Sequence, residues 1–140
     1  MSDVLVRIGR EADLDAVIAL WAAAGSEPTV TDDVGSLRRL LARDADALLV
    51  ADGDGTIVGS LVAGFDGWRG SLYRLAVHPT WRRHGLGRAL VRAGEARLAA
   101  LGAARLDAIV VDTEDGALAF WAAVGYERQR ERARFVRTLG

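Results

Sequence analysis

The feature that most constrains this chain is an abrupt change from strand to helix around two glycines. An apolar run ends at Val77, the chain turns, and a helical pattern begins between Gly85 and Gly87. The first amide N–H groups of a helix have no intrahelical acceptors, and the helix dipole adds partial positive charge to them. Glycine has no Cβ atom that would keep a ligand away from those amides. The passage therefore predicts a main-chain cradle for a diphosphate.

Basic side chains surround these glycines. They are Arg82, Arg83, His84 and Arg88. Charged donors of this kind strengthen phosphate binding. In the alternative interpretation, the glycines only make a tight turn and the basic residues form a solvated surface. Two other phosphate motifs fit badly, because no Gly-Lys-Ser/Thr sequence is present and Leu90 stands where a dinucleotide fingerprint needs its third glycine.

Four segments have the apolar spacing of amphipathic helices. Their apolar faces start at Leu14, Val34, Leu86 and Ala117, and the stops expected for the first, third and fourth are Gly25, Gly102 and Gly125. Thr31 is expected to cap the second helix, with Asp32 and Asp33 in its first turn. Asp112 or Thr113 is expected to cap the fourth helix.

Seven segments are predicted to be strands. They are residues 4–8, 47–51, 56–65, 71–77 and 105–111, and two short strands forming a hairpin within residues 126–138. The sequence Asp52-Gly53-Asp54-Gly55 favours a hairpin turn between the second and third strands. The order is β-α-α-β-β-β-α-β-α-β-β, which predicts an α/β protein with a mixed sheet and helices on both faces. The strands before and after the third helix should be parallel, because a helical crossover joins them.

Composition excludes several classes of function. The chain has 140 residues, enough for one domain with a single core. Its 18 basic and 19 acidic residues argue against a protein that coats nucleic acid. The absence of cysteine removes disulfides and thiolate chemistry and fits a reducing, cytoplasmic compartment. With two histidines, no signal-peptide core and no apolar run near the ~20 residues of a membrane span, we expect no metal centre and no membrane segment.

The residues from Arg82 to Gly87 have the pattern Arg/Gln-x-x-Gly-x-Gly/Ala. A strand with the sequence Tyr-Arg-Leu-Ala-Val-His-Pro, residues 73–79, precedes it, and residues 117–126 end in Gly125-Tyr126. With these features the chain resembles the GNAT superfamily of acyl-coenzyme A N-acyltransferases over nearly its whole length. The resemblance implies one N-acetyltransferase domain over residues 1–140, a splayed and mostly antiparallel sheet, acetyl-CoA as donor and no metal.

The resemblance also implies how the coenzyme is bound. Pantetheine would lie between the splayed fourth and fifth strands, against the backbone of Leu75, Ala76 and Val77. The Val77 N–H would polarise the thioester carbonyl, as a backbone oxyanion hole. The diphosphate would be held by Arg82, Arg83, His84, Gly85, Leu86, Gly87 and Arg88. The acceptor amine would then attack directly, without an acyl-enzyme.

The catalytic side chains are less clearly indicated. Trp121 stands where many family members have a tyrosine acid, and indole does not protonate a thiolate, so Trp121 either packs against pantetheine or fills the core. Glu114 stands where the family often has an asparagine, and it either contacts the coenzyme or is a first-turn acid that favours the helix dipole. Tyr73 is the catalytic candidate, as acid or water-orienting group, with core packing as its alternative.

The resemblance places the acceptor site at residues 25–30 and at the turn of residues 66–70. Aromatic walls and carboxylates for a cationic amine would come from Trp21, Glu27, Asp66, Trp68 and Tyr73. Each of these residues also suits ordinary surface or core. The function predicted is acetyl transfer to a primary amine of a small molecule, protein or peptide. The alternative is an acyl-CoA-binding sensor of weak or lost activity; a homodimer is a reasonable expectation, and the balanced charge argues against a nucleic-acid acceptor.

Overall fold

The computed structural model describes residues 4–110 and 115–140. Its elements are β1 (Val4–Ile8), α1 (Leu14–Ala23), α2 (Val34–Arg43), β2 (Leu48–Gly53), β3 (Thr56–Phe65), β4 (Gly70–Val77), α3 (Leu86–Ala100), β5 (Leu106–Ala108) and α4 (Asp115–Ala123). Short 3-10 turns at Glu11–Asp13 and Pro79–Trp81 lead into α1 and toward α3. The chain divides into two compact units, one up to Ala108 and one from Ile109 onward. One domain over residues 1–140 stays a prediction.

The five strands form one open sheet in the order β1-β2-β3-β4-β5. The first four are antiparallel to their neighbours, and β4 and β5 are parallel, as the α3 crossover predicts. Alternate residues of β3 face opposite layers. Ser60 bonds to Trp21 of α1, whereas Leu61 lies beside Gly94 of α3. The predicted α/β fold class, with a mostly antiparallel sheet flanked by helices, is confirmed.

The core on the α1 side joins both N-terminal helices to the centre of the sheet. Its buried members are Leu14, Val17, Leu20, Trp21, Leu37, Leu48, Val50, Val62 and Ala76. On the other side, α3 packs closely against the sheet. A Cβ atom at Gly94 would lie only 2.9 Å from Leu61 Cδ2, and one at Gly59 only 3.0 Å from Leu90 Cδ1. This close packing fixes the start of α3 beside the end of β4.

Two predictions about helix and strand limits are wrong. Thr31 does not cap α2: Asp33 does, because its Oδ1 accepts the Ser36 N–H at 2.6 Å. The fifth strand is Leu106–Ala108, so residues 105, 109 and 110 of the predicted range 105–111 are not in it, and residue 111 lies outside the described residues. The cap expected at residue 112 or 113 lies outside the described residues.

The two strands predicted within residues 126–138 are not formed, since residues 126–140 contain no strand. Residues 127–134 are rich in Glu, Gln and Arg, and all of residues 127–140 are exposed. A strand in water is stabilised by an apolar face packed on a neighbour. This charged stretch has no such face.

An ion-pair cluster joins β1 to the turn before α1. Arg7 donates to both carboxylate oxygens of Asp13, at 2.8 and 2.9 Å, and to Asp52 at 3.2 Å. The Arg10 N–H also donates to Asp13, which is only 9% exposed. These hydrogen bonds, above all those from Arg7, lower the pKa of Asp13 to about 2. The charged carboxylate of Asp13 therefore stabilises the fold.

We expect Asp13→Asn to lower the free energy of unfolding at pH 7 by about 2 kcal/mol, from the depressed pKa at 1.36 kcal/mol per unit. Since the folded pKa lies below the unfolded one, this stabilisation is present above about pH 4 and is lost as the pH falls toward 2. Urea unfolding from pH 7 to pH 2.5 measures it. The control is Asp46→Asn at an exposed site; equal midpoints for the two variants at pH 7 would contradict the prediction.

Candidate functional site

Strand β4 is paired on both sides for only part of its length. Its parallel ladder with β5 joins Gly70, Ser71 and Leu72 to Leu106, Asp107 and Ala108 and then stops. Within the described residues, positions 73–77 of β4 pair only with β3. One edge of the second half of β4 therefore carries main-chain groups that no strand within residues 4–110 and 115–140 binds, as the splay implied by the resemblance requires.

A β-bulge lies where β4 becomes one-sided. Tyr73 is opposite Val62 and Ala76 is opposite Ser60, so two residues of β4 face Leu61 alone. They are Arg74, which has a φ of +53°, and Leu75. A bulge bends the strand and re-aims the groups that follow it.

The direction of the Val77 amide follows from its neighbour. The His78 N–H donates to the Val58 carbonyl of β3 at 2.8 Å. Successive amides of an extended chain point to opposite edges. The Val77 N–H therefore points away from β3, toward the open edge of β4. Its carbonyl lies on the same edge and accepts from Arg82 Nε at 3.3 Å.

The loop after Val77 is held by short-range contacts. His78 Nδ1 accepts the Thr80 N–H at 3.2 Å, which caps the 3-10 turn Pro79–Trp81. The Trp81 ring lies over β2, where a Cβ atom at Gly53 would be 3.3 Å from Trp81 Cη2. These contacts give the loop a defined shape before α3 begins.

The start of α3 has the geometry of an anion site. Arg83 and Gly85 have φ values of +66° and +79°, and a change of backbone hand of this kind lines a concavity with N–H groups. Gly85 is the N-cap and supplies no side-chain cap, so the first amides of α3 have no side-chain acceptor among the described residues. Arg83 and Arg88 are exposed, and neither forms an ion pair with another described residue. These groups fit a diphosphate.

Arg82 differs from the other basic residues of this loop. Its Nε donates to the Val77 carbonyl, and its terminal nitrogen donates to the Ala24 carbonyl at 3.2 Å. The guanidinium thus joins the end of β4 to the end of α1. His84 is exposed, and its ring centroid lies 6.1 Å from that of Trp81.

The residues predicted for catalysis and acceptor binding lie in different environments. Tyr73 is 44% exposed, and its Cε2 would be 3.4 Å from a Cβ atom at Gly64 on the α1 face of the sheet. Trp68 is 71% exposed, with the Arg69 guanidinium 4.1 Å above its ring. Both Tyr73 and Trp68 are accessible to a ligand.

Asp66 shapes its own turn. Its Oδ1 accepts the N–H groups of Arg69 and Trp68 at 2.7 and 2.8 Å, and these hydrogen bonds lower its pKa. Asp66 is therefore ionised at neutral pH and is a weak proton acceptor. It can still attract a cation.

Trp21 lies in the core. It is 4% exposed, and its indole N–H donates to the buried Ser60 hydroxyl at 2.8 Å. Glu27, by contrast, is exposed, and its backbone carbonyl accepts from Arg74 at 2.9 Å. Of these two predicted acceptor residues, Glu27 is the one whose side chain faces solvent.

In the C-terminal unit, Trp121 packs edge-on against two rings. Its ring centroid lies 5.5 Å from that of Phe120 and 5.0 Å from that of Tyr126. The Tyr126 N–H donates to the Trp121 carbonyl at 3.0 Å, which closes the end of α4. This packing is what the core interpretation of Trp121 expects, and contact with pantetheine stays a prediction. Glu114 lies outside the described residues.

Sequence reasoning missed Arg74 and Asp32, whose side chains form an ion pair between β4 and the segment before α2. A charged residue within a strand pattern is ordinarily read as solvent-facing. No signal in the sequence marks a non-glycine residue with positive φ. The described residues also contain no cluster of three His, Asp or Glu side chains able to hold a metal. None of the helices in this described part could cross a membrane.

Comparison with known proteins agrees with this arrangement. The family model described as the acetyltransferase (GNAT) family matches residues 14–126. An acetyltransferase of Pectobacterium atrosepticum is 37% identical over 122 residues, which are 87% of this chain and 86% of the relative. The chain belongs to the GNAT family, and it is an acyltransferase.

Solved structures share the fold at lower identity. The aminoglycoside N-acetyltransferase AAC(6')-Iy in complex with CoA has a TM-score of 0.76 and 19% identity, covering 99% of this chain and 96% of that one. The aminoglycoside acetyltransferase meta-AAC0020, from an uncultured soil metagenomic sample and in complex with sisomicin, has a TM-score of 0.77 and 23% identity. Its comparison covers 98% of this chain and 97% of that one.

Proposed function

We propose that this enzyme transfers the acetyl group of acetyl-coenzyme A to a primary amine of a small molecule, protein or peptide. The observation that carries the proposal is the continuity of two features. The half of β4 that is paired on one side in the described part of the chain ends at Val77, and Gly85, the N-cap of α3, follows eight residues later. Gly85 gives α3 no side-chain cap, and Arg83 and Arg88 form no ion pair with any other described residue. A ligand with a diphosphate at one end and an extended, hydrogen-bonding arm at the other fits both features at once.

Each group of this half-site has a distinct role in the proposal. The first amides of α3, with Arg83 and Arg88, bind the diphosphate. The open edge of β4 around Leu75 and Ala76 binds the pantetheine arm through its main chain. The Val77 N–H, which points to that edge, donates to the carbonyl oxygen on which charge develops. The bound coenzyme supplies an activated thioester.

Proton transfer falls to Tyr73 and to solvent in this proposal. The attacking amine must be neutral, and the departing thiolate, with a reference pKa of about 8.5, is helped by a proton. Tyr73 lies on β4 four residues before Val77 and is accessible. Asp66 and Glu27 attract the cationic acceptor instead of removing its proton. No cysteine exists to form an acyl-enzyme, which agrees with direct attack in a ternary complex.

Amine acceptors are favoured by two kinds of support. Carboxylates and an exposed aromatic ring lie at the two predicted acceptor segments, at Glu27, Asp66 and Trp68. The structural neighbours named above include aminoglycoside acetyltransferases, one of them bound to an aminoglycoside. An aminoglycoside is therefore one of the acceptors in the assay below.

Release of free thiol from acetyl-CoA tests this function directly. The panel contains spermidine, a lysine-containing peptide, sisomicin and the neutral alcohol glycerol. We expect turnover with at least one amine and none with glycerol. Turnover with glycerol alone would refute the amine assignment. Calorimetric binding of coenzyme A without turnover on any acceptor would favour the sensor alternative.

We expect Gly85→Val to weaken coenzyme A binding at least about tenfold, because a side chain at the N-cap obstructs and reorients the amides. The matched control is Gly55→Val in the β2–β3 turn, where φ is +85° against +79° at Gly85 and where a Cβ atom also meets open space. Both variants pay a similar backbone strain of about 1–2 kcal/mol. Calorimetry with coenzyme A should separate them, and equal affinities would contradict the diphosphate cradle.

We expect Tyr73→Phe to lower kcat about 10-fold or more, with coenzyme A affinity unchanged and the alkaline limb of the pH profile altered. Tyr126, the other tyrosine in the sequence, provides the matched variant Tyr126→Phe. If kcat and its pH profile were unchanged in Tyr73→Phe but reduced in Tyr126→Phe, the acid would have to be reassigned.

A further inference from the structure

Arg74 connects the bulge of β4 to the α1–α2 loop, defined here as residues 24–33. Its Nε donates to Asp32 Oδ1 at 3.0 Å, and a terminal nitrogen ion-pairs with the same carboxylate. That nitrogen also donates to the Glu27 carbonyl at 2.9 Å. The guanidinium carbon lies 5.0 Å from the centroid of the Trp21 ring, a cation–π contact. One side chain thus contacts the loop at two points and α1 at a third.

The Asp32 carboxylate is fully engaged by this arrangement. Besides Arg74, it accepts the Thr29 N–H at 2.7 Å, and the Asp32 N–H donates back to the Thr29 carbonyl at 3.1 Å. The Asp32 side chain is only 10% exposed. A mostly buried carboxylate that loses its cation is strongly destabilised. The loop conformation therefore depends on the guanidinium.

The backbone of Arg74 is held by the side chain of Ser60. The Ser60 hydroxyl donates to the Arg74 carbonyl at 3.3 Å and accepts the Trp21 indole N–H. A non-glycine residue at a φ of +53° costs roughly 1–2 kcal/mol. Glycine would adopt this backbone without that cost, so the contacts of the arginine side chain are what distinguish it at this position.

A second arginine fixes the other end of the same loop. Arg82 bonds to the Ala24 carbonyl and to the Val77 carbonyl. The one-sided segment of β4 thus lies between two guanidinium tethers, Arg74 at its start and Arg82 at its end. The α1–α2 loop is attached to both.

One carboxylate of the α1–α2 loop has no hydrogen-bond or ion-pair partner among the described residues. The loop contains three acidic residues, and Asp32 is bound by Arg74 while Asp33 caps α2. Glu27 is exposed, and its carboxylate has no hydrogen bond or ion pair with any residue in the described ranges. The Glu27 backbone carbonyl accepts a hydrogen bond from Arg74, and this bond fixes the position of the main chain that carries the Glu27 side chain.

We propose that Arg74 is a positioning residue for the acceptor site: it holds the α1–α2 loop against the β4 bulge and so presents Glu27 to a cationic amine. The inference rests on the proposed function for its substrate class. Burial lowers the pKa of Arg74, but a guanidinium remains protonated at neutral pH. The tether is therefore constant over the working pH range, and the role of Asp32 is to bind Arg74 and not the substrate.

Hydrogen exchange tests the tether without any acceptor. Arg74→Gly removes the side chain while keeping a residue that tolerates the positive φ, and Asp32→Asn removes the charge of its partner. We expect each to raise amide exchange in residues 25–33 at least about tenfold, with exchange of residues 86–100 unchanged. The double variant should be no worse than the worse single one, since the two residues act as a pair. Arg43→Gln, an exposed arginine at the end of α2, is the control.

Kinetics tests the positioning role with the fastest amine of the panel. Arg74→Gly and Asp32→Asn should raise the KM for that amine about tenfold or more, with kcat changed by less than about threefold and coenzyme A affinity unchanged. Glu27→Gln should raise the same KM without raising exchange in the loop. Unchanged exchange in both tether variants, or a loosened loop with an unchanged KM, would overturn the proposal. If no amine is acetylated by the natural protein, the proposed function fails, whereas the exchange result still decides whether Arg74 holds the loop.

Discussion

The arrangement of this protein depends on a strand that, among the described residues, is paired on both sides for three residues and on one side thereafter. β4 leaves β5 after Leu72 but stays bound to β3 up to Val77. A sheet normally satisfies its backbone groups by pairing. No strand in the described ranges pairs with this edge of β4, and the His78–Val58 hydrogen bond directs the Val77 N–H toward it. We propose a thioester carbonyl as the partner of that N–H.

The arginines of the site divide into two groups. Arg74 and Arg82 donate hydrogen bonds to carbonyl and carboxylate groups of the α1–α2 loop, and these bonds hold the loop against β4. Arg83 and Arg88 are exposed and unpaired among the described residues, so their charge is available to a ligand. The net charge of −1 conceals this division, because the cations are concentrated where a helix N-terminus already favours anions. A protein whose net charge is close to zero can thus have a locally positive surface region.

Local patterns in the sequence predicted most of the fold. Helices α1, α3 and α4 end just before Gly25, Gly102 and Gly125, and β3 covers the predicted residues 56–65. These features depend on short-range backbone preferences and apolar periodicity, which a sequence displays directly. The same holds for the parallel β4–β5 pair, which follows from chain connectivity.

The remaining features depend on contacts between distant residues. Asp33 takes the cap predicted for Thr31, while the neighbouring Asp32 is engaged by Arg74, 42 positions away. Trp21, which the sequence predicts either to line a substrate wall or to fill the core, donates its indole N–H to the buried Ser60, 39 positions away. The hairpin expected within residues 126–138 had charge without an apolar face, and it is not formed. Local backbone geometry was therefore predictable from the sequence, whereas contacts between side chains from separate elements were not.

The most direct measurement is an NMR titration of the nitrogen-15-labelled protein with acetyl-CoA, following each backbone amide. We expect the largest shifts at Val77 and at residues 83–88, because in the proposed complex their N–H groups bind the thioester carbonyl and the diphosphate. Smaller shifts should appear in residues 24–33, which are held by side chains. Shifts confined to the shallow groove around Ile8, Arg10 and Arg38, with the amides of Val77 and residues 83–88 unmoved, would contradict it.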